Sequence, residues 1–145
     1  MTRVQLRAGR ITALLAILAA GTFASVAFAA NIDGTDRSDK LTGTNGADTI
    51  NAKGGVDKVS AGGGMDIVDG GSETDLLKGE GGADTITGGA GFDSIDGGDG
   101  ADTIEAVDGE ADFVECGNGN NDVANVDDLD FVDDDCETVN VTITP

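Results

Sequence analysis

An aspartate recurs at every ninth residue through most of the chain. Asp39, Asp48, Asp57, Asp66, Asp75, Asp84, Asp93 and Asp102 keep the interval without a break. Asp112, Asn121 and Asp130 continue it after a one-residue insertion near Ala106. Glycines keep phase with these acids, so that Gly88 to Glu105 divides into GGAGFDSID and GGDGADTIE. Glycine turns let the backbone curl so that carbonyl oxygens point toward the carboxylates, and such a site offers a ligand nothing but oxygen. That is hard-cation chemistry, and it favours Ca²⁺ over zinc or copper. Histidine, the commonest transition-metal ligand, is absent from the sequence.

Two residues after each member of this column stands an aliphatic: Leu41, Ile50, Val59, Val68, Leu77, Ile86, Ile95, Ile104, Val114, Val123 and Val132. A unit of nine residues is too short for a helix pair and fits a 3.6-residue turn poorly. Six turn-forming residues followed by three with a central β-former predict a short strand after a wide turn. Alternation sends the aliphatic to one face and its two neighbours, mostly Thr, Lys, Ser, Asp, Glu and Asn, to the other. Strand and turn repeated twice complete one coil of 18 residues, so two parallel sheets enclose a thin core. Ile50, Val68, Ile86, Ile104 and Val123 line one sheet. Leu41, Val59, Leu77, Ile95, Val114 and Val132 line the other. Coils stack at about 4.8 Å, which sets Asp48 against Asp66, and Asp84 against Asp102, across one gap. Bare carboxylates there repel, and a divalent cation between them reverses the sign.

These units resemble the glycine-rich nonapeptide of the RTX (repeats-in-toxin, hemolysin-type) calcium-binding proteins, GGxGxDxUx with U a large apolar residue. The resemblance covers Gly34 to about Asp133 and is most specific over Gly79–Glu105. It implies an all-β fold, a right-handed parallel β-roll of about eleven nine-residue repeats. It also implies Ca²⁺ held between turns by aspartate side chains and by carbonyls around the glycines. The implied carboxylate ligands are Asp39, Asp48, Asp57, Asp66, Asp75, Asp84, Asp93, Asp102, Asp112 and Asp130. The implied turn positions are Gly46, Gly55, Gly64, Gly71, Gly82, Gly89, Gly91, Gly98 and Gly100. Some units depart from the pattern. Arg37 and Glu73 replace the fourth-position glycine, Asn121 replaces an aspartate, and NVDDLDFVD has no glycine. With those sites weakened, roughly five to eight ions are expected rather than one per repeat.

The chain opens MTRVQLRAGRITALLAILAAGTFASVAFAA. Three arginines, an apolar run and Ala27-Phe28-Ala29 make a secretory signal peptide over 1–29, cleaved after Ala29. The remainder holds all 28 acidic residues against five basic ones, a net charge of −23. Such a polyanion excludes nucleic acid and, once the leader is gone, membrane; cations are its expected partners. Composition alone would suit disorder, but the acids and aliphatics are phased together. The expected organisation after the leader is a lead-in and first turn over 30–42, the calcium-binding roll over 43–133, and a cap strand and tail over 134–145. Cys116 and Cys136 are the only cysteines of a chain expected outside the cell, which predicts a disulfide pinning the cap. Phe113 and Phe131, 18 apart, are expected to stack on one outer face.

The function expected is that of a secreted, extracellular or cell-surface, calcium-binding protein that folds on its metal and catalyses nothing. Every ladder acid has a repeat-wide metal role, and no nucleophile elbow is present. The alternative is an extracellular adhesion or ice- and surface-binding solenoid, or an accessory module of a secreted enzyme system. Thr85-Ile86-Thr87 is the only in-phase Thr-x-Thr of the ladder, so no regular threonine array exists to match a lattice.

Overall fold

The computed structural model describes residues 27–144, so all but the last three residues of the expected leader lie outside the described residues. Among the described residues there are thirteen strands and no helix. In chain order the first six are β1 (Asn31–Asp33), β2 (Lys40–Thr42), β3 (Thr49–Asn51), β4 (Lys58–Gly63), β5 (Ile67–Ser72) and β6 (Leu76–Gly82). Next come β7 (Thr85–Ala90), β8 (Ser94–Gly100), β9 (Thr103–Ala106) and β10 (Phe113–Gly119). The last three are β11 (Val123–Asp127), β12 (Phe131–Val132) and β13 (Thr138–Thr142). Odd-numbered strands form one seven-stranded sheet and even-numbered strands a six-stranded one, each in chain order. Every pairing is parallel, as in Ile50↔Val68↔Ile86↔Ile104 and Leu41↔Val59↔Leu77↔Ile95. The fold is therefore the all-β parallel solenoid that the 18-residue coil predicts, about six turns long.

Ile50, Val68, Ile86 and Ile104 face Val59, Leu77, Ile95 and Val114 across a core in which none is more than 1% exposed. Ile32 on β1 extends the first wall by one turn, and Val132 is only partly buried at the end of the second. Two expectations need correction. The strands of the central coils are not three residues long but six or seven, and they run through the glycines. The pleat continues past the aliphatic, so the first residue of the next unit also turns inward. Ala52, Ala61, Gly70, Gly79, Gly88, Gly97, Ala106 and Cys116 are all buried there. In the regular coils this inward position holds glycine or alanine, and only toward the C-terminal end do the larger Cys116 and Val126 fill it.

The second correction concerns register. The strict interval places Asn121 and Val123 in the aspartate and aliphatic columns. The structure places Asp122 and Ala124 there, with Ala124 paired to Ile104 and 0% exposed. Asn121 sits outside on the surface with a left-handed φ of 74°. The turn after Cys116 holds one more residue than the regular turn, and Asn121 absorbs it. Asparagine tolerates that region better than most residues.

At the C-terminal end Cys116 and Cys136 form the expected disulfide, with Cα atoms 5.1 Å apart. Asp135 reinforces it: its two carboxylate oxygens accept the N–H groups of Cys116 and Gly117 at 3.0 and 2.7 Å. The rings of Phe113 and Phe131 stack as expected at 5.1 Å, and Phe92 meets Phe113 edge-on at 5.5 Å. Each coil touches only its neighbours, so stability is local and additive along the roll. Reduction is therefore expected to increase hydrogen exchange in β10 to β13 first, leaving β4 to β8 protected. The bridge is worth about 3 kcal/mol to that end in the chain-entropy model. Protection lost evenly from β2 to β12 would show one cooperative unit instead.

Candidate metal centres

The aspartate column immediately precedes the strands, and its side chains point into the roll. Asp48, Asp66, Asp84 and Asp102 before odd-numbered strands, and Asp57, Asp75, Asp93 and Asp112 before even-numbered ones, are all at most 3% exposed. Their arrangement differs from the carboxylate-to-carboxylate gap expected from stacking. In each coil the aspartate Oδ1 accepts the backbone N–H of the aspartate one coil earlier, at 2.7–2.8 Å. Asp48 N–H thus donates to Asp66, Asp66 to Asp84 and Asp84 to Asp102. On the other edge Asp39 donates to Asp57, Asp57 to Asp75, Asp75 to Asp93 and Asp93 to Asp112. Both ladders continue beyond the regular units. Asp102 N–H reaches Asp122, Asp122 N–H reaches Glu137, and Asp112 N–H reaches Asp130.

Oδ1 is thereby satisfied, and the remaining oxygen decides what a site can do. Oδ2 of Asp57, Asp66, Asp75, Asp84, Asp93, Asp102, Asp112 and Asp122 is buried and accepts no hydrogen bond. A buried carboxylate oxygen without a donor is costly unless it is protonated or bound to a cation. Asp39, Asp48 and Asp130 are different. Thr35 gives its N–H and hydroxyl to Oδ2 of Asp39, and Thr44 gives its N–H to Oδ2 of Asp48. Oδ2 of Asp130 accepts the N–H of Asp127 at 2.7 Å. Those three carboxylates are already engaged by the chain itself.

The space around the free oxygens fits a hard cation. A Cβ added to Gly79 would lie 2.5 Å from Asp84 Oδ2 and 2.3 Å from the carbonyl oxygen of Gly97. At Gly97 the same point lies 2.8 Å from Asp102 Oδ2 and 2.5 Å from the carbonyl oxygen of Cys116. At Gly70 it lies 3.0 Å from Asp75 Oδ2 and 2.3 Å from the carbonyl oxygen of Gly88. Carboxylate and carbonyl oxygens of successive coils thus converge where a side chain would otherwise stand, an all-oxygen donor set suited to Ca²⁺.

Of the glycines expected to shape the turns, Gly55, Gly64, Gly71, Gly82, Gly89, Gly91 and Gly98 have φ between 99° and 138°. Gly46 and Gly100 do not need positive φ. They are held to glycine by close approach, to Phe28 backbone and to the Gly82 carbonyl oxygen. Asp122 and Glu137 are the ladder members that the strict interval misses. The alternation of Asp122, Ala124 and Val126 against Asn121, Val123 and Asn125 is the signal that could have found the first. Cys116, Asp135 and Cys136 also cluster, but both sulfurs are in the disulfide and Asp135 holds backbone amides.

Burial pushes these carboxyl groups up from the usual aspartate value. Asp75 and Asp112 rise to about 7 and Asp84 to about 6, chiefly by desolvation. The N–H on Oδ1 opposes the rise, while neighbouring carboxylates add to it. Asp57, Asp66, Asp93, Asp102 and Asp130 shift upward for the same first reason.

A model of the RTX calcium-binding nonapeptide repeat, four copies long, matches residues 33–68, 42–77 and 78–110, together more than half of the chain. No curated protein and no solved structure matches it.

The raised carboxyl groups predict the pH response of the metal-free roll. A carboxyl whose pKa is higher folded than unfolded stabilises the fold below its unfolded value, near 3.8. That contribution is lost as pH climbs through the folded value, here about 6 to 7. Metal-stripped protein is therefore expected to gain strand signal in circular dichroism as pH falls from about 8 to about 5. With Ca²⁺ the trend reverses, because protons compete for the same oxygens. A metal-free roll that loses structure over that descent would refute the burial argument.

Proposed function

Because the chain belongs to the RTX calcium-binding nonapeptide-repeat family, we propose that it is a secreted, non-catalytic β-roll whose folding is completed by Ca²⁺. The observation that carries this reading is the set of eight buried Oδ2 atoms without donors, in two columns along the roll. Calcium, when bound, supplies the positive charge that lets these carboxylates stay ionised in the interior. The residues proposed to hold it are Asp57, Asp66, Asp75, Asp84, Asp93, Asp102, Asp112 and Asp122, with carbonyls such as those of Gly88, Gly97 and Cys116. Asp39, Asp48 and Asp130 serve instead as anchors of the ladder ends and of the irregular turn.

The chain's own groups do the rest. Oδ1 of each aspartate fixes the side chain against the coil below, so that Oδ2 is oriented before a cation arrives. The buried aliphatic two residues after each aspartate, such as Leu77 or Ile95, keeps water from the inner side. Secretion is supported by the leader-like residues 1–29 and by the disulfide, which persists in oxidising surroundings. The mature charge of five basic against 28 acidic residues argues against nucleic acid and anionic membranes as partners. The eight free Oδ2 atoms are buried inside the roll, out of reach of a substrate, which leaves these acids unsuited to acid–base catalysis on one.

Two outcomes test this reading. In excess chelator at neutral pH the mature chain is expected to be largely unstructured, and millimolar Ca²⁺ to induce strand. With a site affinity near 0.1 mM, about 1 mM free ion contributes roughly 1.4 kcal/mol per site. A chelated protein already rich in strand would sink the metal requirement. Asp84→Ala is expected to raise the calcium midpoint several-fold, whereas Asp130→Ala, which loses a backbone anchor, is expected to shift it less than about twofold. Equal titrations would show that the free Oδ2 does not mark the sites.

A further inference from the structure

The ladder beside the odd-numbered strands begins at a residue that is not an aspartate. Ala30 lies 18 residues before Asp48 and donates its backbone N–H to Asp48 Oδ1 at 2.6 Å. Its carbonyl accepts the N–H of Thr49 at 2.8 Å, just as the Asp48 carbonyl accepts that of Ile67 in the next coil. Ala30 thus occupies the first rung. Both partners are buried, at 9% and 1% exposure. Ala30 is also the residue that follows Ala27-Phe28-Ala29, the cleavage sequence of the leader.

We propose that removal of the leader places a new α-ammonium on the buried Asp48 carboxylate, and that this ion pair caps the N-terminal end of the roll. A signal peptidase hydrolyses the Ala29–Ala30 peptide bond. The elements of water are added, Ala29 leaves as a carboxylate, and the Ala30 amine takes a proton from solvent. Every other rung joins a carboxylate to a neutral amide, and only this one acquires a charged donor.

Asp48 is the carboxylate prepared for that partner. Unlike the eight with a free Oδ2, it has Thr44 N–H on Oδ2, and the Thr44 hydroxyl lies 3.1 Å from Oδ1, ready to donate there once Phe28 is gone. It also lacks a cationic side chain: among the described residues the ion pairs are Lys53 with Asp33 and Lys78 with Asp96. Before cleavage, Phe28 lies across the end turn. Its carbonyl accepts the Thr44 hydroxyl, and its backbone would be 2.7 Å from a Cβ on Gly46. Cleavage removes that cover and leaves the amine in its place. Charge-assisted hydrogen bonds are about twice as strong as neutral ones.

The inference rests on the secretory, calcium-binding reading above, and its test separates the two. Mass analysis of the exported protein is expected to give Ala30 as its first residue. A calcium-folded product that begins elsewhere would overturn the cap and leave the calcium reading intact. The mature chain is then made with a free and with an acetylated Ala30 amine, and both are loaded with Ca²⁺. Amide exchange over β3 is expected to be about tenfold slower in the free form, from the difference between charged and neutral hydrogen bonds. In Asp48→Asn that difference is expected to vanish. Equal exchange in the two native-sequence forms, with normal calcium-induced dichroism, would overturn the cap alone. Loss of the calcium response in both forms would overturn the calcium reading and the cap with it.

Discussion

Each ladder carboxylate grips the amide of the residue one coil back, and that bond organises the interior of the roll. It is made at the point where the strand leaves its turn, so it ties neighbouring coils at their corners rather than along their flat faces. It also fixes the side-chain rotamer. With Oδ1 held at 2.7–2.8 Å from an amide, Oδ2 has nowhere to go but inward. The same contact that stabilises the stack therefore creates a buried oxygen that needs a cation or a proton. Structural role and metal demand are two ends of one carboxyl group.

Close backbone approach is the second half of that constraint. A Cβ on Gly82 would stand 1.4 Å from the Gly64 carbonyl oxygen, and one on Gly100 equally close to that of Gly82. No rotamer relieves such a clash, because it involves the first side-chain atom and a backbone oxygen of the stacked coil. Glycine lets coils stack at strand spacing even through the corners, and this brings carbonyls beside the aspartates. A roll with larger residues there would lose its stacking and its oxygen cage together.

Metal demand is unevenly distributed along the axis. The first two repeats carry threonine after their leading glycine, and Thr35 and Thr44 supply donors to Asp39 and Asp48. Every basic residue of the roll, from Arg37 to Lys78, also lies in its N-terminal half. Beyond Lys78 the chain has 19 acidic residues and no basic one. There the free Oδ2 atoms accumulate, until the disulfide, Asp135 and Glu137 take over the task of closing the ladder. Covalent and hydrogen-bonded closure thus stand at the two ends, and between them the Oδ2 atoms are left without a donor.

The period of nine determined a great deal. Aspartate and aliphatic two residues apart, repeated from Asp39 to Ile104, imply alternation, an 18-residue coil and the inward columns, because a pleated strand offers two faces and a parallel stack repeats them in register. Oxygen-only chemistry and the cysteine pair were equally legible, since they depend on residue type. Three things were decided only in three dimensions. Strands run on through the glycines because a coil this narrow tolerates glycine or alanine facing inward, a property of the packed core rather than of local propensity. Asp122 takes the place that strict counting gives to Asn121, because a turn can absorb an extra residue while the sheet cannot. The aspartates meet amides instead of one another, because a parallel stack offsets each side chain toward the backbone of its neighbour. Counting locates the acids, but which oxygen is left without a partner depends on the donors that the neighbouring coil brings to it.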